Sequence, residues 1–192
     1  MTDTPRFPFF IVSGPSGVGK NTVVEGVRQA IPALQKATTY TSREPRPGEL
    51  EAKMKFFVSR EEFERKIQGE ELFEHASYAG NYYGTPKKEL LALLSKGPAM
   101  TDIETQGVKQ LLETFPREKL VTIFLKPSSV EALTKRITAR APISEEELAG
   151  RVARIEEELA DAKLYDHVIV NEEGKVERTI DQVVECVRTA LG

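Results

Sequence analysis

One short segment near the start of the chain constrains its fold more than any other feature. The apolar run Phe9–Ser13 is followed by a glycine-rich turn, GPSGVG, and then by Lys20 and helix-forming residues. Glycines adopt positive φ angles and carry no side chain, so the backbone N–H groups of such a turn can surround an anion at the positive end of the next helix. The segment therefore predicts a strand, a phosphate-binding loop and a helix in succession.

The loop fits the pattern G-x-x-x-x-G-K-[ST] except at its last position. Asn21 stands where a hydroxyl residue is expected, and Thr22 follows it. The lysine supplies a point charge for the β and γ phosphates of a nucleotide, and the hydroxyl normally ligates Mg²⁺ beside them. The pattern thus leaves the metal to Thr22 or to water. We expect a nucleotide site made of Gly14, Pro15, Ser16, Gly17, Val18, Gly19, Lys20, Asn21 and Thr22.

Composition narrows the class of protein. The 192 residues, 40% of them hydrophobic, can form one core with small appended lobes. A net charge of −3 argues against broad binding to nucleic acid or anionic membranes, which requires a basic surface. Cys186 is the only cysteine, which fits a reducing compartment, and no run approaches the roughly 20 apolar residues of a membrane helix. We expect a cytoplasmic protein that acts on small molecules, without a nucleic-acid, membrane or protein partner.

Strand-like and helix-like patterns alternate along the chain. Continuously apolar or β-branched runs are typical of parallel strands covered on both faces, and helical patterns separate them. This alternation predicts a doubly wound α/β core. The strand candidates are Phe9–Ser13, Ala99–Asp102, 120–125 and 167–170, and the helix candidates are Lys20–Ala30, Thr105–Thr114, 129–139 and 179–191.

Two stretches interrupt the alternation and divide the chain. Residues 38–97 combine the polar loop TSREPRPGE with strand-like runs at 56–58 and 72–78, a capping box at Ser59 and Glu62, and a helix expected to open at Thr85-Pro86. Residues 128–157 form two charged helices, the second with a capping box at Ser144. We expect an inserted lobe at 38–97, a lid at 128–157, and a core made of 1–37, 98–127 and 158–192.

Arginines on separate segments indicate phosphoryl transfer. An enzyme catalyses this reaction by positioning the reacting groups and by stabilising negative charge on the transferred phosphoryl group. Arg43 and Arg46 lie in a loop stiffened by prolines and form candidate forks for an anion, although a solvated basic loop would look the same. On the lid helices, Arg154 is close to glutamates and is expected to pair with them at i,i+4. Since no general base stands out, the acceptor is expected to be an ionised phosphate, as on a nucleoside monophosphate.

Over essentially its full length the chain resembles the guanylate kinase family, through GPSGVGK, TSREPRPGE, FEHASYAGNYYGTP, DIETQG, KRITARAPISEEELAGR and VIVN. The resemblance implies an α/β P-loop nucleoside monophosphate kinase fold, with a doubly wound parallel sheet core, an inserted mixed α/β GMP-binding lobe and a helical lid. It also implies transfer of the γ-phosphate of ATP to GMP, and to dGMP, giving ADP and GDP, with Mg²⁺ bound together with ATP.

The resemblance assigns roles to individual residues. Besides the loop, it implies ATP binding by Arg136 and Asn171, and Mg²⁺ binding through the nucleotide by Thr22 and Asp102. A carboxylate at Glu74 can accept from both N1–H and N2–H₂ of guanine, a pattern that adenine cannot supply. The implied catalytic residues are Lys20, Arg46, Arg140 and Arg151, and the implied GMP-binding residues are Thr39, Arg43, Arg46, Lys55, Glu74, Tyr83, Thr85, Asp102 and Glu104.

The chain departs from the family pattern in four places, of which Lys55 and Glu104 keep a different small acceptor open. Asn21 replaces Ser or Gly, Met54-Lys55 replaces Asp-Tyr, Glu104 replaces Asp, and alanines at 139 and 141 replace glycines. The alternatives are a kinase of this architecture with another small acceptor, and a non-catalytic guanylate-kinase-like module that binds phosphopeptides. A binding module can dispense with a complete phosphate loop and with the lid arginines, so the presence of Lys20, Arg140 and Arg151 favours the enzyme.

Overall fold

The computed structural model describes residues 4–45, 48, 55–78, 80–138 and 144–192. Arg46 and Arg140, two of the expected catalytic residues, lie outside these ranges, as do Met54, Ala139 and Ala141. The chain divides into two compact units. Unit 1 contains Met1–Phe9, Ala33–Thr101 and Gln106–Leu120, and unit 2 contains Phe10–Pro32, Asp102–Thr105 and Val121–Gly192.

The described residues form nine strands and seven α-helices. The strands are β1 (Phe9–Ser13), β2 (Gln35–Lys36), β3 (Thr39–Thr41), β4 (Lys55–Phe57), β5 (Leu72–Tyr78), β6 (Asn81–Pro86), β7 (Ala99–Asp102), β8 (Leu120–Pro127) and β9 (His167–Asn171). The helices are α1 (Lys20–Ala30), α2 (Arg60–Gln68), α3 (Lys87–Leu94), α4 (Thr105–Thr114), α5 (Val130–Thr138), α6 (Glu145–Ala160) and α7 (Val176–Leu191).

These strands form two sheets. The first has the order β2-β7-β1-β8-β9, and its pairs β2–β7 and β8–β9 are parallel. The second has the order β4-β3-β6-β5, in which β3–β4 is parallel and the other two pairs are antiparallel. The first sheet, whose strands alternate with helices along the chain, confirms the predicted α/β class.

The core of unit 2 explains why β1 is continuously apolar. All five β1 residues are buried, as expected for a strand covered on both faces. On α1 the buried valines recur at helical spacing, Val23, Val24 and Val27. They face the core together with Val183, Val184 and Val187 of α7, the helix against which α1 packs. Burial of such side chains contributes about 1.5–3 kcal/mol each.

Aromatic rings organise the core of unit 1. The Phe115 ring lies 5.7 Å from the ring of Phe9 and 5.1 Å from that of Phe73, measured between centroids. On α2, the buried Phe63 stacks on Tyr82 of β6 at 5.3 Å. The contacts with Phe73 and Tyr82 pack the end of α4 and the helix α2 against the second sheet, and such ring pairs add to the stabilisation from buried area.

Helix starts were predicted well where the signal is a capping box. The Ser59 and Ser144 hydroxyls accept from the backbone N–H groups of Glu62 and Glu147, as expected. A helix does follow Thr85-Pro86, but the prediction that Thr85 caps it and that Pro86 is its first residue was wrong. Both residues end β6, α3 begins at Lys87, and the Thr85 hydroxyl is engaged elsewhere. The last helix begins at residue 176, three residues before the predicted start.

Candidate functional site

The segment between β1 and α1 forms the predicted glycine loop in unit 2. Gly14, Gly17 and Gly19 have φ angles of 137°, 87° and 102°, the positive values that the sequence predicts. A Cβ on Gly14 would lie 2.3 Å from the carbonyl oxygen of Leu125 on β8, so only glycine fits there. Gly19 precedes α1 without a side-chain cap, which leaves the first-turn N–H groups to an anion.

Lys20 is buried at the first position of α1 and turns back into this loop. Its ammonium donates to the Gly14 carbonyl at 2.6 Å and to the Pro15 carbonyl at 3.5 Å. The Glu104 carboxylate lies 3.4 Å from the same nitrogen. Two loop carbonyls and the Glu104 carboxylate therefore hold the lysine ammonium within the glycine loop. Glu104, which the resemblance assigns to guanine, lies beside the loop lysine.

Asp102, at the end of β7, is in contact with the residue that departs from the loop pattern. With its nitrogen turned toward Asp102, the Asn21 amide donates to both carboxylate oxygens, at 2.9 and 3.2 Å. In this orientation Asn21 holds the carboxylate as a hydrogen-bond donor. Thr22, the other expected metal ligand, is exposed on the first turn of α1.

A Mg²⁺ bound with a nucleotide fits this donor set. Within the ranges that the structure describes, no three His, Cys, Asp or Glu side chains are grouped so that they could hold a metal by themselves. Mg²⁺ usually takes one or two protein oxygens together with substrate phosphates. The carboxylate of Asp102 and the hydroxyl of Thr22 are ligands of that kind.

Asn171, at the end of β9, connects the glycine loop to α7 by two hydrogen bonds. Its Nδ2 donates to the Val18 carbonyl at 2.7 Å, and its Oδ1 accepts from the Thr179 hydroxyl of α7 at 2.8 Å. Both ends of the buried amide are thus engaged within unit 2. Its contact with adenine stays a prediction, whereas its contact with the phosphate loop is seen directly.

Arginines on α5 and α6 make ion pairs with glutamates. On α6, Arg151 donates to Glu147 at 2.7 Å, and the Arg154 nitrogen lies 3.8 Å from the Glu158 carboxylate. The second pair is the i,i+4 pairing that the sequence predicts for Arg154. Arg136 of α5 lies 3.8 Å from Glu173.

Sequence reasoning missed one titratable group of this unit. Glu158 is buried on α6, one helical turn after the buried Ile155, and this apolar spacing was the available signal. Burial raises the pKa of Glu158, and the neighbouring charge of Glu104 raises it further. Lys20 and Arg154 oppose this effect, and the more weakly interacting Asp161 adds to it.

Unit 1 contains a second polar cluster, on the β5–β6 pair. Glu74 and Thr85 are register partners on these two strands, and both are buried. The Thr85 hydroxyl donates to Oε1 of Glu74 at 2.7 Å. A carboxylate removed from water needs hydrogen-bond donors, and Thr85 supplies one from the next strand. The structure thus brings together the two residues that the resemblance assigns to guanine.

Three of the expected acceptor-phosphate residues also meet in unit 1. The Lys55 ammonium donates to the Thr39 hydroxyl at 3.0 Å and lies 5.9 Å from the centre of the Tyr83 ring. Parallel pairing of β3 with β4 places Thr39 opposite Lys55. Lys55 therefore supplies positive charge at this point of the second sheet.

Arg43 follows β3 and is oriented by its own segment. Its Nη1 donates to the Glu44 carbonyl at 2.7 Å, and its guanidinium lies 5.5 Å from the centre of the Phe57 ring. Stacking on an aromatic face is a common way to hold an arginine.

Comparison with known proteins shows which family this chain resembles over most of its length. The family model described as guanylate kinase matches residues 8–190. A guanylate kinase of Gloeobacter violaceus is 42% identical over 169 residues, covering 88% of this chain and 82% of that protein. One of Frankia casuarinae is 42% identical over 164 residues, covering 85% and 88%.

Structural comparison gives the same result. The crystal structure of guanylate kinase from Anaplasma phagocytophilum is 31% identical, with a TM-score of 0.73 over 97% of this chain and 87% of that one. In the part of the chain that is described, no helix has the length and apolarity needed to cross a membrane. The phosphate loop, the Glu74–Thr85 pair and the match over residues 8–190 lead to one conclusion: this chain belongs to the guanylate kinase family.

Proposed function

We propose that this protein transfers the γ-phosphate of ATP to GMP, giving ADP and GDP, with Mg²⁺ bound together with ATP. The observation that carries the proposal is the buried ammonium of Lys20, held inside a formed glycine loop at the N-terminus of α1. That arrangement is suited to the β and γ phosphates of a nucleotide. We further propose dGMP as a second acceptor and the cytoplasm as the location, the latter because Cys186 is the only cysteine.

On the donor side, backbone N–H groups and Lys20 hold the phosphates. When a nucleotide binds, Lys20 exchanges the Gly14 carbonyl for phosphate oxygens and stabilises charge that develops on them. The metal neutralises phosphate charge when it is bound. Asp102 and Thr22 would hold it, with Asn21 orienting the carboxylate of Asp102.

On the acceptor side, the buried carboxylate of Glu74 accepts from N1–H and N2–H₂ of guanine, while Thr85 keeps it oriented. Lys55, Thr39 and Tyr83 bind the acceptor phosphate, together with the expected Arg43 and Arg46. This phosphate is ionised at neutral pH, so no side chain has to remove a proton from the nucleophile.

We also propose that residues 38–97 form a lobe and residues 128–157 a lid, both attached to a core made of the remaining residues. The lid helices α5 and α6 carry Arg136 and Arg151, whose present partners are exposed glutamates. Exposed ion pairs are weak, about 0–1 kcal/mol, so these arginines can leave them for phosphate. Arg140, between the two helices, is expected to act with them.

The test offers the purified protein ATP, Mg²⁺ and each of GMP, dGMP, AMP, CMP and UMP, while ADP release is followed in a coupled assay. We expect turnover with GMP and dGMP only. The variant Lys20→Met, which keeps an unbranched side chain but lacks the ammonium, should lower kcat by about 10²–10³ with an unchanged circular dichroism spectrum. Turnover with another monophosphate would favour the kinase with a different acceptor. Absence of ADP release with every monophosphate would reject the enzyme and favour a binding module.

A further inference from the structure

Strand β5 lies at the end of the second sheet, and a helix supplies the hydrogen bonds on its outer side. Gln110 of α4 accepts from the His75 backbone N–H at 3.0 Å and donates to the His75 carbonyl at 2.7 Å. One turn later, the Thr114 hydroxyl donates to the Phe73 carbonyl at 3.0 Å. All four residues belong to unit 1. The helix thus contacts the backbone on both sides of Glu74.

The two hydrogen bonds of Gln110 take the place of those that a neighbouring strand would make with the His75 backbone. A primary amide carries one acceptor and two donors, so a single side chain satisfies both backbone groups of His75 as a neighbouring strand would. Unpaired groups at a sheet edge would otherwise bond to water or to another chain. Gln110 is therefore a two-point clamp on one residue of β5.

The clamp lies next to an irregularity in the strand. The register of β5 against β6 shifts between Leu72 and Glu74, so the ladder does not pair Phe73 in regular fashion. A one-residue slip would turn the Glu74 side chain to the opposite face of the sheet. The contacts of α4 fall on Phe73 and His75, the residues before and after Glu74.

We propose that Gln110 is a positioning residue for guanine recognition, because its amide fixes the β5 backbone so that the Glu74 carboxylate meets Thr85 and the base in register. The inference rests on the role of Glu74 in the proposed function. Gln110 itself does not touch the base in this scheme. It acts through the strand.

The test uses two substitutions. Gln110→Glu keeps the size of the side chain but places a carboxylate oxygen against the His75 carbonyl, and Gln110→Ala removes both bonds. Each should raise KM for GMP roughly 5- to 30-fold, the effect of losing one to two net hydrogen bonds, while KM for ATP changes by no more than about twofold. The preference for GMP over inosine monophosphate, which lacks the 2-amino group, should fall by a similar factor.

Two further measurements separate positioning from general damage. The His75 amide should exchange with deuterium faster in Gln110→Ala, because it loses its acceptor, whereas Gln110→Glu keeps an acceptor oxygen for this N–H and should protect it better. The control Gln182→Ala makes the same type of change at an exposed site on α7 and should alter neither KM nor selectivity. If KM rises equally for GMP and ATP, or selectivity is retained in both Gln110 variants, the positioning role is refuted.

Glu74→Gln distinguishes this inference from the function on which it rests. Loss of GMP selectivity in Glu74→Gln, with selectivity intact in the Gln110 variants, overturns the inference alone. Retained selectivity in Glu74→Gln removes Glu74 from guanine recognition, and the inference falls with it.

Discussion

Replacing Asn171 with alanine tests whether the buried amide below the phosphate loop holds that loop in place. The substitution removes a donor to the Val18 carbonyl and an acceptor for the Thr179 hydroxyl. Thr179 is buried as well, so its hydroxyl is expected to lose its partner without full replacement by water.

The magnitude follows from these two contacts. A buried polar group that loses its partner costs about 1–3 kcal/mol, and two such groups, with some relaxation, give about 2–5 kcal/mol. For a chain of this size each kcal/mol corresponds to about 2–4 °C in Tm, so Tm should fall by roughly 4–20 °C. KM for ATP should rise more than KM for GMP, since Val18 is part of the loop.

Urea unfolding monitored by circular dichroism gives the free energy of unfolding, and initial rates give both KM values. The matched control Thr179→Val keeps the shape of the side chain and breaks only the bond to Oδ1, so it should cost about 1–3 kcal/mol, less than Asn171→Ala. A loss below about 1 kcal/mol in Asn171→Ala, or an equal rise in both KM values, would show that the amide does not brace the loop.

Three other substitutions test the same unit. Gly14→Ala places a Cβ against the Leu125 carbonyl at a φ of 137° and should destabilise by about 1–3 kcal/mol and impair ATP use. The same change at Gly150, inside α6 with no atom within 4 Å, should stabilise by about 0.5–1 kcal/mol; equal effects in urea melts would contradict the steric argument. Burial and Glu104 raise the pKa of Glu158, so the stability this carboxyl contributes is present below its ordinary pKa and is lost as pH rises through the raised one. Urea melts between about pH 4 and pH 8 should therefore show Glu158→Gln gaining stability relative to the parent as pH rises, and parallel pH curves would refute the assignment.

Sequence alone determined the features that depend on neighbouring residues. The glycine loop, the bounds of α1 and α4, and the two serine caps follow from local backbone freedom, helical periodicity and hydrogen bonds that span three or four residues. These signals lie within one or two turns of chain, so no tertiary information is needed to recognise them.

Strand pairing in the second sheet could not be predicted from such local signals. Strands β3 and β6 were not predicted, because short half-buried strands lack a distinct period and are defined by their partners. Thr85 carries a capping hydroxyl and precedes a proline, yet its hydroxyl bonds to Glu74 instead. The tertiary contact with a buried carboxylate outweighs the weak local preference for a cap.

The same division applies to the sites. The residues proposed to bind phosphate and guanine could be named from the motifs and the family resemblance, but the residues that contact them could not. Three contacts join residues that are far apart in the chain: Glu104 with Lys20, Asn171 with the loop, and Gln110 with β5. The burial of Glu158 likewise depends on the folded chain. Such contacts depend on sheet register and helix packing, which are set by burial of the whole core, and only the folded chain decides them.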